Sequence, residues 1–364
     1  MPYTWGAVQI AAPAPASTKA GSRIPELDGF RGLAILLVVT GHTMTFTLHV
    51  LPDTGLKMGE MGVLLFFVLS GYLITGLLRD EEARTGTISL GTFYLRRACR
   101  LLPALALFLA GVAVCRWLGF ITDVPNKDFV AAIFYVRNIF GSSQSLAHLW
   151  SLSLEEQFYT LWPFLFLWLG ARRLLHVAVG LSILVMIWRG AAISLHLWAY
   201  NTGVFYLRPW FRFDAIAVGC VLALVSLPKS PKWLFLFSGA ALMGWSVYGE
   251  PVSRPFFITL QTIFAATLLY GVVAGGPLAR AVFSLGWLRW LGGISYSLYL
   301  WQQILLVSNS NLGWIRQFPL NIVAAFALAI LSRHFVEEPF LKLGRRHLAK
   351  RSLQRFPNVE SGNV

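Results

Sequence analysis

The sequence predicts an all-α fold: a polytopic membrane helix bundle of about ten transmembrane helices, with both termini cytoplasmic. Three observations carry that expectation. Of the 364 residues, 56% are hydrophobic and only 13% are charged, against about 25% charged in a soluble domain. Apolar windows of roughly 17–25 residues recur between charged or Pro/Gly-containing breaks, the length a helix needs to cross hydrocarbon. Lysine and arginine concentrate in alternate connections, and placing those connections inside puts both chain ends inside as well. The windows lie near residues 30–50, 59–78, 101–120, 153–169, 174–195, 211–227, 232–249, 256–274, 290–308 and 318–336. Segment 129–140 is a weaker candidate, for a helix lying in the interface.

The expected location is the plasma (inner) membrane, multi-pass. Residues 1–22 are rich in Ala, Pro, Ser and Thr and have no basic segment leading into an apolar run, so they read as a flexible tail rather than a signal peptide. Residues 23–346 form the membrane domain, and 347–364 a basic tail suited to an anionic inner leaflet. The net charge of +14 is the positive-inside excess of such a protein. No basic helix with base-reading polar side chains lies outside the windows, so nucleic acid is not an expected partner. Cys99, Cys115 and Cys220 show neither a CxxC pair nor Cys/His metal spacing, so neither a disulfide framework nor a metal is expected.

The first window opens with Asp28-Gly29-Phe30-Arg31-Gly32 and runs on to Gly41-His42. The eleven-residue spacing of Arg31 and His42 returns to within about 20° of one helix face and spans about 16 Å. An arginine and a histidine inside hydrocarbon are costly and mark a functional site. The alternative is a snorkelling Arg31 with His42 hydrogen-bonded between helices. In the second window, Phe66-Phe67-Val68-Leu69-Ser70-Gly71-Tyr72 holds a small Ser70-Gly71 patch where another helix backbone can approach, with the Tyr72 hydroxyl beside it. Packing explains that patch about as well as a ligand-facing surface does, and no G-x-S-x-G elbow marks Ser70 as a nucleophile.

Ahead of the third window, Arg96 and Arg100 are i, i+4 neighbours with Arg97 beside them. Three guanidiniums at the membrane surface suit phosphates, or else form a topogenic cluster on anionic lipid. Trp150-Ser151-Leu152-Ser153-Leu154-Glu155-Glu156-Gln157-Phe158-Tyr159 leads from an outer loop into the fourth window. Ser151 is spaced as a helix N-cap, and two glutamates exceed what a cap needs, so one can hold a cationic imidazole or take a proton. His148 just upstream is a further candidate, although a loop histidine more often faces solvent. Arg212 and Asp214, at the outer end of the sixth window, are two residues apart and do not face each other, so each pairs with a different helix. They either contact sugar hydroxyls or anchor the span. Ser295, Tyr296, Ser297 and Tyr299 make the ninth window hydroxyl-rich, and Pro339 is expected to end the last helix.

Taken in order, these segments resemble the acyltransferase-3 family, bacterial integral-membrane O-acyltransferases. The matching pieces are Leu27 to Gly32 with His42 at the R-x10-H spacing, Phe66 to Tyr72, Arg96-Arg97 with Arg100 and Pro103, Trp150 to Tyr159, Arg212-Phe213-Asp214, Ile294 to Trp301, and Val336 to Phe340. The resemblance covers roughly residues 23–346. One departure is Gln302, where members often carry a histidine. A further one is the lack of the soluble esterase-like domain that some members carry after the last span, so a second transfer step is expected to need a separate protein.

The resemblance implies transfer of an acyl group, commonly acetyl, from cytoplasmic acyl-CoA to a hydroxyl of a glycan such as an exopolysaccharide, lipopolysaccharide or peptidoglycan. Acetyl-CoA is then a donor substrate, with no permanently bound cofactor. On this chain Arg96, Arg97 and Arg100, with Arg31, would meet the coenzyme A phosphates, and Arg31 would orient the thioester end. His42 would be the general base, because attack of a hydroxyl on a thioester needs a base of near-neutral pKa and a donor for the oxyanion. Glu155 or Glu156 would orient the imidazole or relay its proton, and Ser70 and Tyr72 would donate to the oxyanion. Ser151, Glu156, Arg212 and Asp214 complete the substrate-facing set. The competing readings are a transporter of a glycan or small solute, which lacks an inverted repeat here, a scaffolding subunit of a glycan-assembly complex, and an acyltransferase acting on a secondary metabolite.

Overall fold

The computed structural model describes residues 24–195, 208–231, 233–248, 255–308 and 310–355. The expected tail at 1–22 and the end of the basic C-terminal tail lie outside the described residues. Among those residues every regular element is helical: α1 (Pro25–His42), α2 (Pro52–Thr85), α3 (Leu90–Trp117), α4 (Asn126–Ile133), α5 (Leu149–Ser194), α6 (Phe213–Leu224), α7 (Leu234–Tyr248), α8 (Pro255–Val273), α9 (Pro277–Phe283), α10 (Gly286–Gln302), α11 (Leu320–Ser332) and α12 (Glu338–Arg355).

Five stretches are long and apolar enough to cross a membrane: Pro25–Thr47, Pro52–Thr85, Leu90–Trp117, Leu149–Ala192 and Leu320–Ala349. The number rises to six if Ile258–Val273 and Pro277–Phe283, bent by 103°, are one broken span. This is fewer than the ten apolar windows, for two reasons. The windows at 153–169 and 174–195 are counted together as α5, although its 46 residues would measure about 70 Å if straight, enough for two crossings. Gly170 breaks that length with φ 70° and ψ 165°, a conformation that strains any residue with a Cβ. The windows at 211–227, 232–249 and 290–308 hold α-helices of 12, 15 and 17 residues, although a π-helical turn over Gln303–Val307 prolongs the last.

The end of the last window also differs from expectation. Pro339 does not end the helix. A π-helical turn over Arg333–Glu337 interrupts the regular bonding, and α12 restarts at Glu338 with Pro339 in its first turn, where a missing N–H has no partner to lose. Residues 347–355 of the basic tail therefore continue that helix.

The central helix is α1, packed on α2 and α10, with α9 across its start. In turn α2 packs on α6, α6 on α5, α10 on α11, and α3 against α12. The α2–α6 crossing is backbone against backbone. A Cβ on Gly71 would sit 2.0 Å from the Ile216 carbonyl oxygen, and one on Gly219 would sit 2.1 Å from that of Val68. The Ser70-Gly71 patch is thus a close-approach surface, as its small side chains predict. Phe30, Leu65, Phe67 and Ile216 fill the main core, and Phe108, Leu149, Leu300 and Trp301 fill a second one.

Between α3 and α5, the connection is pinned by Asp128 on α4. Its carboxylate accepts the backbone N–H groups of Ser142 (3.0 Å) and Ser143 (2.7 Å) and lies 3.4 Å from the Arg137 guanidinium. Burial opposes the charge, but the Ser143 and Ser142 hydrogen bonds and the Arg137 charge outweigh it and hold the Asp128 pKa below the usual carboxylate range.

Two outcomes are expected. Gly71→Ala should lower stability in detergent by about 1–3 kcal/mol through overpacking, while Gly76→Ala, where a Cβ would meet nothing within 4 Å, should be neutral or mildly stabilising; chemical denaturation followed by circular dichroism separates them. A carboxylate of depressed pKa stabilises the fold only while ionised. Its contribution is complete above the unfolded value of about 3.9 and is lost as pH falls through the lower folded value. Asp128→Asn should therefore melt below wild type at neutral pH, with the gap closing on acidification below about pH 4.

Candidate active site

A cavity of about 90 Å³ lies between α1, α2, α3, α5 and α10. It has room for a few waters or a small acyl group, not for a sugar. Along α2 its walls run from Val63 to Leu73, a length of about 15 Å. Gly41 of α1 meets Gly55 and Gly59 of α2, and Ala34 meets Gly62, so the two helices run antiparallel. Arg31 therefore lies toward the Ser70 end of the cavity, and His42 lies beside Gly59, about one turn beyond Val63.

One end of the cavity is cationic. Arg31, Arg97 and Arg100 all line it. Arg31 donates to Asp28 Oδ1 at 3.0 Å, and the Arg97 guanidinium stacks over the Tyr159 ring, 3.9 Å from its centroid. Arg97 and Arg100 are i, i+3 on the inner face of α3, which leaves Arg96 on the outer flank, exposed and away from the cavity. Two of the three clustered arginines thus meet the cavity, and Arg31 joins them from another helix.

The middle is a hydroxyl–carboxylate network. Ser70 Oγ donates to Glu155 Oε1 at 2.9 Å, and Tyr159 OH donates to Ser70 Oγ at 2.8 Å. Glu155 and Tyr159 are i, i+4 on α5, so one helix face presents both. Ser151 is not an N-cap. It lies inside the first turn of α5 and donates to the His148 carbonyl at 3.1 Å, with the Tyr299 hydroxyl 2.6 Å away. Ser151 and Tyr299 line the cavity.

His42 is held by α10 rather than by a glutamate. Its Nδ1 lies 2.7 Å from Gln302 Oε1, while the Gln302 amide nitrogen faces the Tyr299 carbonyl at 3.4 Å. That assignment makes Nδ1 the protonated nitrogen and leaves Nε2 as the acceptor. A Cβ on Gly59 would lie 3.4 Å from Nε2, an ordinary contact, so that nitrogen faces Gly59 of α2. The expected orienting carboxylate is therefore replaced. Glu155 spends its oxygens on Ser70 and Tyr159, and Glu156 stays outside the cavity with Oε1 buried and lacking a hydrogen-bond partner. Gln302, at the position that departs from the family pattern, is the residue that orients the imidazole.

The remaining sequence-predicted residues lie elsewhere. Tyr72 packs against the main core, away from the cavity. Arg212 reaches Glu60 on α2 at 3.9 Å, and Asp214 accepts from Arg189 on α5 at 2.8 Å, so each pairs with a different helix as their spacing predicts. Arg189 is fully buried and also donates to the Phe211 carbonyl and the Thr259 hydroxyl. Sequence reasoning did not single out Tyr159 or Tyr299. The only signals were the i, i+4 spacing of Tyr159 from Glu155 and the hydroxyl-rich run that contains Tyr299. His148 does not face solvent: it is buried, with ring centroids 5.4 Å from Phe108 and 5.4 Å from Tyr299.

An oriented imidazole thus lies beyond one end of a narrow cavity, and three arginines line the other. Residues 24–332 match the family profile described as an acyltransferase domain, and the chain belongs to the acyltransferase-3 family. It is 30% identical over 362 residues to the peptidoglycan O-acetyltransferase OatA of Listeria monocytogenes, covering 88% of this chain and 56% of the relative. It is 30% identical over 370 residues to the putative peptidoglycan O-acetyltransferase YrhL of Bacillus subtilis, with coverages of 90% and 56%. Against the O-acetyltransferase OatA of Staphylococcus aureus it is 32% identical over 365 residues, with coverages of 90% and 58%. The chain spans a little over half the length of these relatives. No solved structure matches it.

The buried pair makes a test of anchoring. Asp214→Ala strands Arg189 as an uncompensated charge and should cost about 3–5 kcal/mol, whereas combining Asp214→Leu with Arg189→Met should recover most of that loss. Denaturation of the purified variants reads both.

Proposed function

We propose that the chain is a multi-pass O-acetyltransferase of the plasma (inner) membrane, which takes an acetyl group from acetyl-CoA and passes it to a glycan hydroxyl. The observation that carries this reading is the cavity that joins Arg31, Arg97 and Arg100 to within a helical turn of His42. The Lys/Arg bias of the connections supports ten spans with both termini inside, which sets the arginine end toward the cytoplasm, where acyl-CoA is found. The names of the relatives make peptidoglycan the first acceptor to test. Exopolysaccharide and lipopolysaccharide hydroxyls would require the same chemistry.

In this mechanism Arg97 and Arg100, with Arg31, hold the coenzyme A phosphates through planar, charge-assisted hydrogen bonds. The thioester end enters the cavity, whose small volume suits a two-carbon acyl group. An acceptor hydroxyl attacks the thioester carbonyl while His42 Nε2 takes its proton. The new C–O bond forms, the C–S bond breaks, and the thiolate leaves with a proton to become free coenzyme A. Ser151 and Tyr299, rather than Tyr72, are the cavity hydroxyls that would donate to the developing oxyanion, each by turning its single proton away from the His148 carbonyl. Glu155 orders Ser70 and Tyr159 along the cavity wall. The bent α8–α9 pair has the broken-span geometry found in transporters, but it contributes no residue to this cavity.

In proteoliposomes with labelled acetyl-CoA and peptidoglycan fragments, His42→Ala should keep its fold and lose about 10²–10⁴ of turnover. A folded variant with full turnover would remove His42 from the mechanism. Arg100→Ala should instead raise the KM for acetyl-CoA by about 10–100-fold with kcat little changed, because it removes a charge-assisted hydrogen bond made equally before and during the reaction.

A further inference from the structure

Outside the cavity, one partly open carboxylate stands close to the base and has no part in the mechanism above. Glu60 lies on α2, and its side chain is 30% exposed. Its two oxygens are placed differently. Oε2 is enclosed and has no hydrogen-bond partner among the described residues. The Arg212 guanidinium stops 3.9 Å from it, beyond hydrogen-bond reach. Oε1 is not enclosed, and it lies on the open side. The charges of Arg212, across on α6, and of Lys57, three residues earlier, both act on the carboxylate. It is therefore held by charge without having its hydrogen bonds filled.

The neighbouring residues show which way it opens. Along this flank of α2, Leu56, Glu60, Leu64 and Phe67 recur at helical spacing. Leu64 is 2% and Phe67 1% exposed, and Phe67 packs against the Trp150 ring of α5 at 5.6 Å between centroids. Leu56, one turn the other way, is 44% exposed. Glu60 thus sits where the flank passes from packed bundle to open surface. The base is at the same level. Gly59, where a Cβ would lie 3.4 Å from His42 Nε2, is the adjacent residue, its Cα about 3.8 Å away. Val63, which ends the cavity wall on α2, is a little under one turn further in. His42 itself is half-buried. An open carboxylate and the imidazole therefore stand side by side beyond the cavity.

Resting on the acetyl-transfer reading, we propose that Glu60 is the anchoring carboxylate of the acceptor subsite. Its Oε1 accepts hydrogen bonds from a second hydroxyl, or from an amide N–H, of the sugar whose attacking hydroxyl faces His42 Nε2. The ligand class is a sugar with a donor group neighbouring the position to be acylated, such as an N-acetylated hexosamine. The size of the cavity sets no limit on this acceptor, because only the acyl end of the donor lies inside it. No bond to Glu60 forms or breaks: the residue places the sugar, and proton transfer stays with His42.

The test uses purified protein in proteoliposomes, with acetyl-CoA as donor and soluble N-acetylglucosamine oligomers as the acceptor probe. In Glu60→Leu the KM for the oligomer should rise at least about tenfold, the loss expected when a hydrogen bond to a carboxylate is removed, while the KM for acetyl-CoA does not change. Glu60→Gln, which keeps a carbonyl oxygen in place, should recover part of that loss. A carboxylate that serves only to neutralise Arg212 would lower the melting temperature and leave the two KM values in step. Unaltered oligomer KM in folded Glu60→Leu, or an equal rise in both KM values, therefore overturns the proposal. A second measurement needs no variant. Water-soluble carbodiimide with glycine ethyl ester should couple to Glu60 of the wild type, read by mass spectrometry of its peptide, and saturating oligomer should slow that coupling. Coupling equal with and without oligomer, or no coupling at all, overturns the proposal. Should the wild type consume no acetyl-CoA, the donor reading fails, and protection of Glu60 by the oligomer still decides the subsite.

Discussion

The 2.7 Å contact between His42 and Gln302 can exist only because α1, α2 and α10 approach more closely than ordinary side chains allow. Gly32 and Gly292 lie where a Cβ would collide with the Leu288 and Asp28 carbonyl oxygens, each at 1.9 Å. In hydrocarbon, water gives no hydrophobic push between helices, so close backbone contact is a main source of attraction. The same contact brings the Arg31 and His42 face of α1 against its neighbours. Packing and site are therefore set by one constraint, and a bulky residue at these crossings would displace the base together with the fold.

Buried charge follows a consistent division. Arg189 with Asp214 and Arg137 with Asp128 are paired within 4 Å and tie one segment to another, while Arg333 pairs with Glu337 inside one helical turn. Arg97 and Arg100 share a cavity with Arg31, an arrangement of like charges that costs free energy unless an anion joins them. Glu155, the cavity's carboxylate, is engaged by Ser70 and Tyr159. Arg31 belongs to both groups, since it pairs with Asp28 at 3.0 Å while lining the cavity beside Arg97 and Arg100.

Much of this was legible in the sequence because it follows from local periodicity. The helical class, the eleven-residue spacing of Arg31 and His42, the close-approach patch at Ser70-Gly71, and the separate partners of Arg212 and Asp214 all reflect a 3.6-residue repeat. What could not be read is which helix meets which face. Arg96 and Arg97 look equivalent in the chain, yet only Arg97 turns inward. Glu155 has the chemistry to orient an imidazole, but α5 delivers it to Ser70, while α10 delivers Gln302 to His42 across 260 positions. His148 sits in a loop by sequence, and only tertiary packing shows it buried. Hydropathy marks apolar stretches and leaves their helix lengths open: the break at Gly170 falls between the windows at 153–169 and 174–195, and the shortness of α6 is a backbone property.

The use of a neutral amide to orient the base has a chemical consequence. A carboxylate partner would hold the imidazole and also stabilise the imidazolium formed on proton uptake. Gln302 fixes the tautomer alone, through a carbonyl oxygen that accepts the Nδ1 proton, and brings no charge to the cation. In the proposed mechanism, proton uptake at Nε2 would then be balanced elsewhere, either by rapid delivery of the proton to the departing thiolate or by the negative charge developing on the oxyanion beside it. Both favour a concerted step, in which the hydroxyl is deprotonated as it attacks, over prior formation of a free alkoxide. Such a base does little until donor and acceptor are both in place. If, as proposed, acyl donor and acceptor approach from opposite sides of a membrane, that would limit the loss of thioester to water.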